Sequence, residues 1–335
     1  MSSFEIAGRS IGQDAPPYII AELGINHGGD LKTAEKMLDA CAEAGADAAK
    51  LQVFQTAKFL SRSSAYFDVL NDAVLSEDAI RSLIARAKSL GITLFASVFD
   101  EPSADLMQRL DTPAFKIASG DLTHLPLLAH ISRFGKPMIV STGGATMEEV
   151  KAAVDTIREA NSATPLSLLH CVSNYPTKPE DVNLACMATI ADAFGTVTGF
   201  SDHTLENTTA LAAVALGAKV IEKHFTLDRN ADGPDHALSC DPAGLQALVS
   251  SAKLVHAAIG RSEKAPVEAA DFIPLIRRSV TADIAIPKGT VITRQMLEVK
   301  RPGTGISPGD LEKIVGRSAA RALDQDETIS WNDIE

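Results

Sequence analysis

Two lysines and three serines have the side chains of a phosphate-binding site. Each lies in, or directly after, a short apolar run, and together they are Lys50, Lys116, Ser97, Ser119 and Ser141. A buried ammonium group is costly unless it is paired, and ammonium and hydroxyl groups together are suited to a phosphorylated anion. We therefore interpret these five residues as an anion site. The alternative is a structural ion pair, such as Lys50 with Glu22.

Two histidines could bind a divalent metal ion. His203 follows one apolar run and His224 ends the next one along the chain. Neutral imidazole nitrogens are common metal ligands, and an ion with only two protein ligands keeps positions for water and substrate oxygens, where it can polarise a carbonyl group. The alternative is a pair of hydrogen-bonded core histidines.

Eight short apolar runs, separated by longer segments of helical period, must position these residues. This alternation is typical of parallel strands joined by helices. The predicted strands are Tyr18–Gly24, Ala48–Val53, Thr93–Val98, Ala114–Ser119, Pro137–Thr142, Leu166–Cys171, Val197–Ser201 and Val220–Phe225, with helices such as Leu31–Ala44, Glu77–Leu90, Met147–Glu159 and Leu205–Leu216. Eight such units predict a closed (β/α)8 barrel of the α/β class.

The polar residues collect at the strand ends, which is where barrels of this kind place their active sites. Period-two alternation puts Lys50 and Gln52 on one face of their strand, and Glu222 and His224 on one face of theirs. If those faces point inward, the barrel mouth holds charged groups instead of the usual aliphatic filling.

After Gly260 the alternation stops. Arg261–Pro274 is polar, and the segments from Ser279 onward are short, extended and separated by proline and glycine, which predicts a small, mostly β domain. The alternative to a functional role for this domain is a tail that only stabilises the barrel.

Composition narrows the class of protein. With 335 residues, 45% of them hydrophobic and 22% charged, the chain is an ordinary globular protein, and its formal net charge of -12 with no basic stripe makes nucleic acid an unlikely partner. The four cysteines lack the spacing of a zinc site. The N-terminal 17 residues lack the apolar core of a signal peptide, and no stretch is long and apolar enough for a membrane span. We expect a cytoplasmic protein with no membrane partner.

Several motifs resemble those of the sialic acid synthase family, which makes N-acetylneuraminic, legionaminic and pseudaminic acids. The matching stretches occur in order along nearly the whole chain. They are Ile20-Ala21-Glu22-Leu23-Gly24-Ile25-Asn26-His27, Ala46-Asp47-Ala48-Ala49-Lys50-Leu51-Gln52, Phe115-Lys116-Ile117-Ala118-Ser119-Gly120-Asp121, Tyr175-Pro176-Thr177, Gly199-Phe200-Ser201-Asp202-His203-Thr204 and Glu222-Lys223-His224-Phe225.

The resemblance implies a TIM barrel followed by a small SAF (antifreeze-like, β-clip) domain. The expected domains are a catalytic barrel over residues 1–262, a linker over 263–276 and the SAF domain over 277–335. The resemblance also implies a domain-swapped homodimer in which Arg301 helps to hold the amino sugar in the barrel of the partner subunit.

The resemblance further implies roles for individual residues. Glu22, Lys116 and His203 would be catalytic, and His203 with His224 would bind Mn²⁺, or else Mg²⁺ or Co²⁺. The substrate-binding residues, for phosphoenolpyruvate or for the sugar, would be Lys50, Gln52, Ser97, Ser119, Asp121, Ser141, Ser173, Tyr175, Asp235 and Arg301. Ser173, where the family commonly has asparagine, and Gly120-Asp121-Leu122, where it has Gly-Glu-Cys, depart from the neuraminate-type pattern and leave the identity of the sugar open.

The implied reaction condenses phosphoenolpyruvate with an N-acylated amino-sugar aldehyde and water, and releases phosphate. The sugar would be N-acetylmannosamine or a 2,4-diacetamido-6-deoxyhexose. Three alternatives remain: a related synthase acting on a sugar phosphate, as the Kdo-8-phosphate enzymes do; a lyase that uses Lys116 as a Schiff base; and a non-catalytic sugar-binding or ice-binding protein.

Overall fold

A computed structural model describes residues 3–12 and 14–335. Met1, Ser2 and Gln13, which belong to the N-terminal stretch discussed above, lie outside the described residues. The chain divides into two compact units, the first ending at Gly260 and the second spanning Arg261–Glu335. The first unit contains the barrel strands that carry the predicted site.

Eight parallel strands close into a barrel, which confirms the predicted fold class. Each strand pairs with its neighbour in sequence, and the last pairs with the first. The barrel strands are β3 (Tyr18–Gly24), β4 (Ala48–Val53), β5 (Thr93–Val98), β6 (Phe115–Ile117), β7 (Met138–Ser141), β8 (Leu166–Cys171), β9 (Val197–Asp202) and β10 (Val220–His224). Four of them, β3, β4, β5 and β8, have the predicted bounds. The other four differ by one or two residues, β9 and β10 at one end and β6 and β7 at both ends.

The two faces of each barrel strand have different neighbours. In β3, Ile19, Ala21 and Leu23 belong to the core shared with the helices, whereas Tyr18 and Ile20 pack inside the barrel. Because side chains alternate along a strand, Glu22 follows them on the inner face. The inner face of β3 therefore changes from apolar at its start to charged near its carboxyl end.

Four other strands, β4, β5, β7 and β10, repeat this change. Ala48, Phe95, Ile139 and Val220 pack in the same inner cluster, and the residue two positions further along each strand is polar. Those polar residues are Lys50 on β4, Ser97 on β5, Ser141 on β7 and Glu222 on β10. Together they form a polar layer toward the carboxyl ends of the strands, above an apolar layer.

A short N-terminal hairpin packs against the inner apolar layer of the barrel. Its strands, β1 (Phe4–Ile6) and β2 (Arg9–Ile11), pair antiparallel, and Ile6 and Ile11 are fully buried against the inner apolar layer. Arg9 forms an ion pair of 2.7 Å with Asp47. This hairpin was not among the predicted elements.

Helices connect the strands. Several begin at a side-chain cap: Asp30, Ser76, Asp100 and Asp241 each accept a hydrogen bond from a backbone N–H in the first turn. The helices are α1 (Leu31–Glu43), α2 (Thr56–Phe59), α3 (Phe67–Asp72), α4 (Glu77–Leu90), α5 (Glu101–Arg109), α6 (Leu125–Ser132), α7 (Met147–Ala160), α8 (Cys186–Phe194), α9 (Thr208–Ala215), α10 (Pro242–Ile259) and α11 (Phe272–Ile276). None of the helices in the described part of the chain has the length and apolar character needed to cross a membrane.

The predicted helix Leu205–Leu216 is too long at its start, because α9 begins at Thr208. The backbone carbonyls of Thr204 and Glu206 accept hydrogen bonds from the buried Lys223 ammonium, at 2.7 and 3.1 Å. Because a side chain of β10 binds these two carbonyls, the segment before Thr208 forms a loop and not the first turn of the helix.

The second unit has its own small core. Strands β11 (Ser279–Ala282) and β12 (Leu297–Lys300) pair antiparallel, and isolated bridges such as Ile286 with Leu323 extend the β structure. Val280, Ile292 and Ile329 are among its fully buried side chains. The predicted small, mostly β domain is confirmed, and its strands pair antiparallel.

Candidate active site

A cavity of about 640 Å³ opens at the carboxyl end of the barrel. Its floor is the polar layer of the strands, and its walls come from the loops that follow them. The lining residues are Glu22, Lys50, Gln52, Lys58, Phe59, Leu70, Ser97, Phe99, Lys116, Ala118, Ser119, Gly120, Asp121, His124, Ser141, Cys171, Tyr175, Ser201, His203, Glu222, His224 and Asp235. Most of the predicted site residues therefore meet in one cavity.

Lys50 lies at the centre of a buried polar cluster. Its Nζ is 2.5 Å from Glu22 Oε2 and 3.6 Å from Glu222 Oε2, and it donates a 2.6 Å hydrogen bond to Ser97 Oγ. Gln52 Nε2 donates to the other oxygen of Glu22 at 2.8 Å. The ion pair with Glu22 that the sequence analysis weighed as an alternative is present, and it lies within the cavity.

Lys116 forms a second buried cationic group. Its Nζ donates to Ser141 Oγ at 2.7 Å and to the Ile117 carbonyl at 2.8 Å, and Glu222 Oε1 is 3.8 Å away. Glu222 thus lies within reach of both lysines, and Ser201 donates a 3.1 Å hydrogen bond to it.

Burial and neighbouring charges shift the pKa values of this cluster. Burial raises the pKa of Glu22 in spite of the Lys50 ammonium. Burial alone would raise the pKa of Glu222 as well, but Lys116 and Lys50 lower it to about 2. Burial lowers the pKa of Lys116, whereas for Lys50 the two carboxylates outweigh burial and raise the pKa. Glu22 is therefore the carboxylate that takes a proton more readily.

Gly143, in the loop after β7, brings three polar side chains together. Its N–H donates a 3.0 Å hydrogen bond to Ser119 Oγ. A Cβ atom at this position would be 2.3 Å from Ser173 Oγ, 2.8 Å from Ser119 Oγ and 3.2 Å from Cys171 Sγ. Only a glycine leaves room for this approach.

His203 and His224 lie side by side, with ring centroids 5.4 Å apart. The Val172 carbonyl accepts a 2.7 Å hydrogen bond from Nδ1 of His203, so in the neutral ring the lone pair is on Nε2. Burial lowers the pKa of His224 well below its usual value and keeps that ring neutral. Its Nδ1 is buried without a hydrogen-bond partner and lies 3.6 Å from Asp235 Oδ2.

These two rings fit a divalent ion. Among the described residues, Nε2 of His203 and Nδ1 of His224 have no hydrogen-bond partner. The backbone carbonyl of Val172 orients the His203 ring, as outer-sphere partners of metal ligands do. Within residues 3–12 and 14–335, no group of three His, Cys, Asp or Glu side chains is arranged to hold a metal. The protein would therefore supply two ring nitrogens, and water or substrate the remaining ligands.

Cys171 is a further group beside His203. Its Sγ is 3.7 Å from His203 Nδ1. Burial raises the pKa of the Cys171 thiol, but His203 and other neighbours outweigh burial and lower it, and the same contact raises the pKa of His203. The sequence analysis placed Cys171 at a strand end but gave it no role.

Asp235 and Tyr175 border the cavity nearer to solvent. A Cβ atom on Gly24 would be 3.4 Å from Asp235 Oδ2 and 3.7 Å from Gln52 Nε2, so the loop after β10 reaches the end of β3. The Tyr175 ring is 51% exposed and lies 4.2 Å from the His203 ring. These side chains can contact a substrate that enters from the open end.

The remaining predicted residues differ in their positions. Asp121 lies at the cavity, where burial raises the pKa of its carboxyl to about 6. Ser173 is exposed and lies beside Gly143, but it does not line the cavity. Arg301 is exposed on the second unit.

Several lining residues were not among those predicted to bind substrate. Glu222 could have been included, because period-two alternation already placed it on the inner face with His224. Lys58, Phe59, Leu70 and His124 lie outside the barrel strands, where the sequence has no period that indicates the direction of a side chain.

Two family profiles match the chain. The NeuB family matches residues 37–264, and the SAF domain matches residues 277–335. These matches cover the part of the chain that forms most of the barrel, and the small β domain.

Curated relatives and solved structures agree with these profiles. The chain is 39% identical to the N,N'-diacetyllegionaminic acid synthase of Legionella pneumophila, over 95% of this chain and 94% of the relative. It is 36% identical to the human N-acetylneuraminate-9-phosphate synthase, over 96% and 94%. The crystal structure of the N-acetylneuraminic acid synthetase from Leptospira borgpetersenii, in complex with citrate, superimposes with a TM-score of 0.77 at 32% identity, over 81% of this chain and 94% of that chain.

Proposed function

Because the chain belongs to the NeuB family and is an enzyme of the sialic acid synthase type, we propose that it condenses phosphoenolpyruvate with an N-acylated amino-sugar aldehyde. The acceptor is N-acetylmannosamine or a 2,4-diacetamido-6-deoxyhexose. The product is a nonulosonic acid, and phosphate is released.

The observation that carries this proposal is the pair of buried lysines on the inner face of the barrel. Lys50 and Lys116 are 3% and 2% exposed, and each donates to a serine hydroxyl. Phosphoenolpyruvate brings a phosphate and a carboxylate, and charge-assisted hydrogen bonds to two ammonium groups and to Ser97, Ser119 and Ser141 suit both. Gln52, Asp121, Tyr175 and Asp235 are then left for the sugar, and we assign Ser173, which lies beside Gly143 outside the cavity lining, to the sugar as well.

The bonds change as follows. C3 of phosphoenolpyruvate forms a bond to the aldehyde carbon of the sugar, whose oxygen takes a proton. Positive charge develops at C2, and water adds there and loses one proton. Phosphate then leaves with the electron pair of the C2–O bond, and the new C2 hydroxyl loses its proton as the keto group forms. His203 and His224 would hold a divalent ion, Mn²⁺ in our proposal, which would supply an electrophile for the aldehyde oxygen.

Glu22 is the group that we assign to proton transfer and to stabilising positive charge at C2. It lies in the cavity beside Lys50, and burial raises the pKa of its carboxyl. A carboxylate with a raised pKa is a better proton acceptor, and its ionised form opposes the charge that develops at C2. Lys116 holds the departing phosphate.

The test is phosphate release with each substrate alone and with both together. We expect release only when both substrates and a divalent ion are present. Lys116→Met should lower kcat/KM for phosphoenolpyruvate by about 30-fold or more, because one charge-assisted contact of about 2 kcal/mol is lost. Release that persists in excess chelator, or without a sugar, would contradict the proposal.

Metal binding can be measured apart from turnover. His203→Ala and His224→Ala should each weaken Mn²⁺ binding in a calorimetric titration, while Cys186→Ala, at a cysteine outside the cavity, should leave it unchanged. Unchanged Mn²⁺ affinity in the double histidine variant would remove this assignment.

A Schiff-base lyase is the second candidate, because burial lowers the pKa of Lys116 and a deprotonated lysine can attack a carbonyl. Borohydride reduction in the presence of pyruvate separates the two functions. We expect no covalent label on Lys116, and a labelled Lys116 would favour the lyase.

A further inference from the structure

The candidate active site has an apolar wall as well as a charged floor. Phe59, Leu70 and Phe99 line the same cavity as the two lysines. We propose that this wall receives a methyl group of the acceptor sugar, so that the enzyme prefers an acceptor with a methyl at that position over one with a hydrogen, a hydroxyl or a phosphate there. This inference rests on the proposed function and specifies its acceptor.

The wall is a packed feature of the fold. The rings of Phe59 and Phe99 have centroids 4.4 Å apart, and both rings contact Phe54, at 5.5 and 5.8 Å. With Leu70 they belong to a hydrophobic cluster separate from the main core. Phe99 is only 7% exposed. Packing of this kind fixes the three side chains in place.

The wall and the charged floor come from different parts of the barrel. The lysines lie on the inner faces of β4 and β6, whereas Phe59 ends α2, Leu70 is in α3 and Phe99 follows β5. Phosphoenolpyruvate, the more highly charged substrate, is matched by the lysines and serines. The acceptor is the substrate left to contact the wall.

The chemistry of the wall selects for an apolar group. None of its three side chains can donate or accept a hydrogen bond. A sugar hydroxyl placed there would lose its hydrogen bonds to water without replacement, and an ionised phosphate would lose more. A methyl group gains from the contact.

One neighbouring cation could favour a phosphate instead. Lys58 precedes Phe59 in α2, is exposed and lines the same cavity. Because it is solvated, we expect it to add little to binding. Its contribution can be measured with Lys58→Ala.

The methyl group could come from the sugar carbon chain or from an N-acyl substituent. A 6-deoxy sugar carries the first and an N-acetyl group the second. Comparing a 6-deoxy with a 6-hydroxy acceptor, and an N-acetyl with an N-formyl acceptor, distinguishes these sources, because only the pair that differs at the wall responds to changes in the wall.

The experiment measures kcat/KM by phosphate release for these two pairs and for a 6-phosphate acceptor. We expect the wild-type enzyme to prefer the methyl-bearing member of one pair by about ten-fold, the size typical of one methyl or hydroxyl group in an apolar pocket. Leu70→Asn should reduce that ratio several-fold and leave the KM for phosphoenolpyruvate unchanged. Val69→Asn, on the same helix but outside this cavity, is the matched control.

Two results would overturn the inference alone. One is turnover in which Leu70→Asn changes the ratio of neither pair. The other is a wild-type preference for the 6-phosphate acceptor that Lys58→Ala abolishes, together with equal kcat/KM for the N-acetyl and N-formyl acceptors. No phosphate release with any acceptor would instead overturn the proposed function, and the inference with it. A more conservative variant, Leu70→Ala, covers the case in which Leu70→Asn does not fold.

Discussion

Glu22 and Glu222 together balance the charge of Lys50 and Lys116. With both carboxylates ionised the cluster is neutral, and an incoming anion would gain little from it. Burial raises the pKa of Glu22 whereas the lysines lower that of Glu222, so protonation of Glu22 would leave one net positive charge. This arrangement suits a site that binds an anion and moves a proton.

Asp121 should make stability depend on pH. Burial raises the pKa of its carboxyl from 3.8 to about 6 in the folded protein. Below about pH 4 this carboxyl is protonated in both the folded and the unfolded chain and does not change stability. As the pH rises to about 6, the unfolded chain loses the proton first, and the free energy of unfolding falls by up to about 3 kcal/mol. Asp121→Asn should remove that loss. The free energy of unfolding of the variant should therefore exceed that of the wild type by almost nothing at pH 4 and by the full amount at pH 7.

Urea unfolding of Asp121→Asn and wild type at several pH values measures this difference. Asp111→Asn is the control, because Asp111 is exposed and its hydrogen bond to Lys136 lowers the pKa of its carboxyl, the opposite direction. A gain for Asp121→Asn that is the same at pH 4 and pH 7 would contradict the pKa shift.

At the scale of the elements, the period of apolar residues in the sequence predicts the barrel strands better than it predicts the residues of the site. Strands such as β3 and β4 could be predicted because they are buried on both faces and bounded by turns. The same alternation indicated which face carries Lys50 and Glu222. The sequence could not show that Phe59, Leu70 and Phe99 meet, because loops and short helices between distant strands bring them together.

The N-terminal hairpin should contribute to the stability of the barrel. Ile6 is fully buried against the inner apolar layer, so Ile6→Ala should lower the free energy of unfolding by about 2–4 kcal/mol. Glu5, the preceding residue, is exposed, and Glu5→Ala should change it by less than about 0.5 kcal/mol.

Thermal and urea unfolding measure both variants. The KM values of Ile6→Ala should match the wild type, because the hairpin and the cavity contact opposite layers of the barrel interior. An equal loss of stability in the two variants would mean that the hairpin is not packed as described.

At the scale of the whole molecule, we propose that the second unit acts on the barrel of a partner chain in a domain-swapped homodimer. Arg301 lies on that unit, is exposed, and is the residue that we expect to contact the sugar. Arg301→Ala and Lys116→Ala proteins should each be nearly inactive. A mixed dimer would contain one barrel with an intact Lys116 that receives an intact Arg301, so mixing should restore part of the activity.

The measurement is phosphate release after subunit exchange, with heterodimers verified by differential tags. A mixture of verified heterodimers that stays as inactive as its parents would rule out a contribution from the partner. The second unit would then be better explained as a stabilising domain.

The apolar layer that Ile6, Ile11 and Tyr18 form beneath the polar layer leads us to a prediction about the order in which the substrates bind. Reactants reach the cavity from its open end, where Tyr175 is exposed, and the two buried lysines lie deeper. A sugar that binds first would block the path of phosphoenolpyruvate to the two lysines. We therefore expect an ordered kinetic mechanism in which phosphoenolpyruvate binds before the sugar, and in which excess sugar inhibits by occupying the entrance of the empty enzyme.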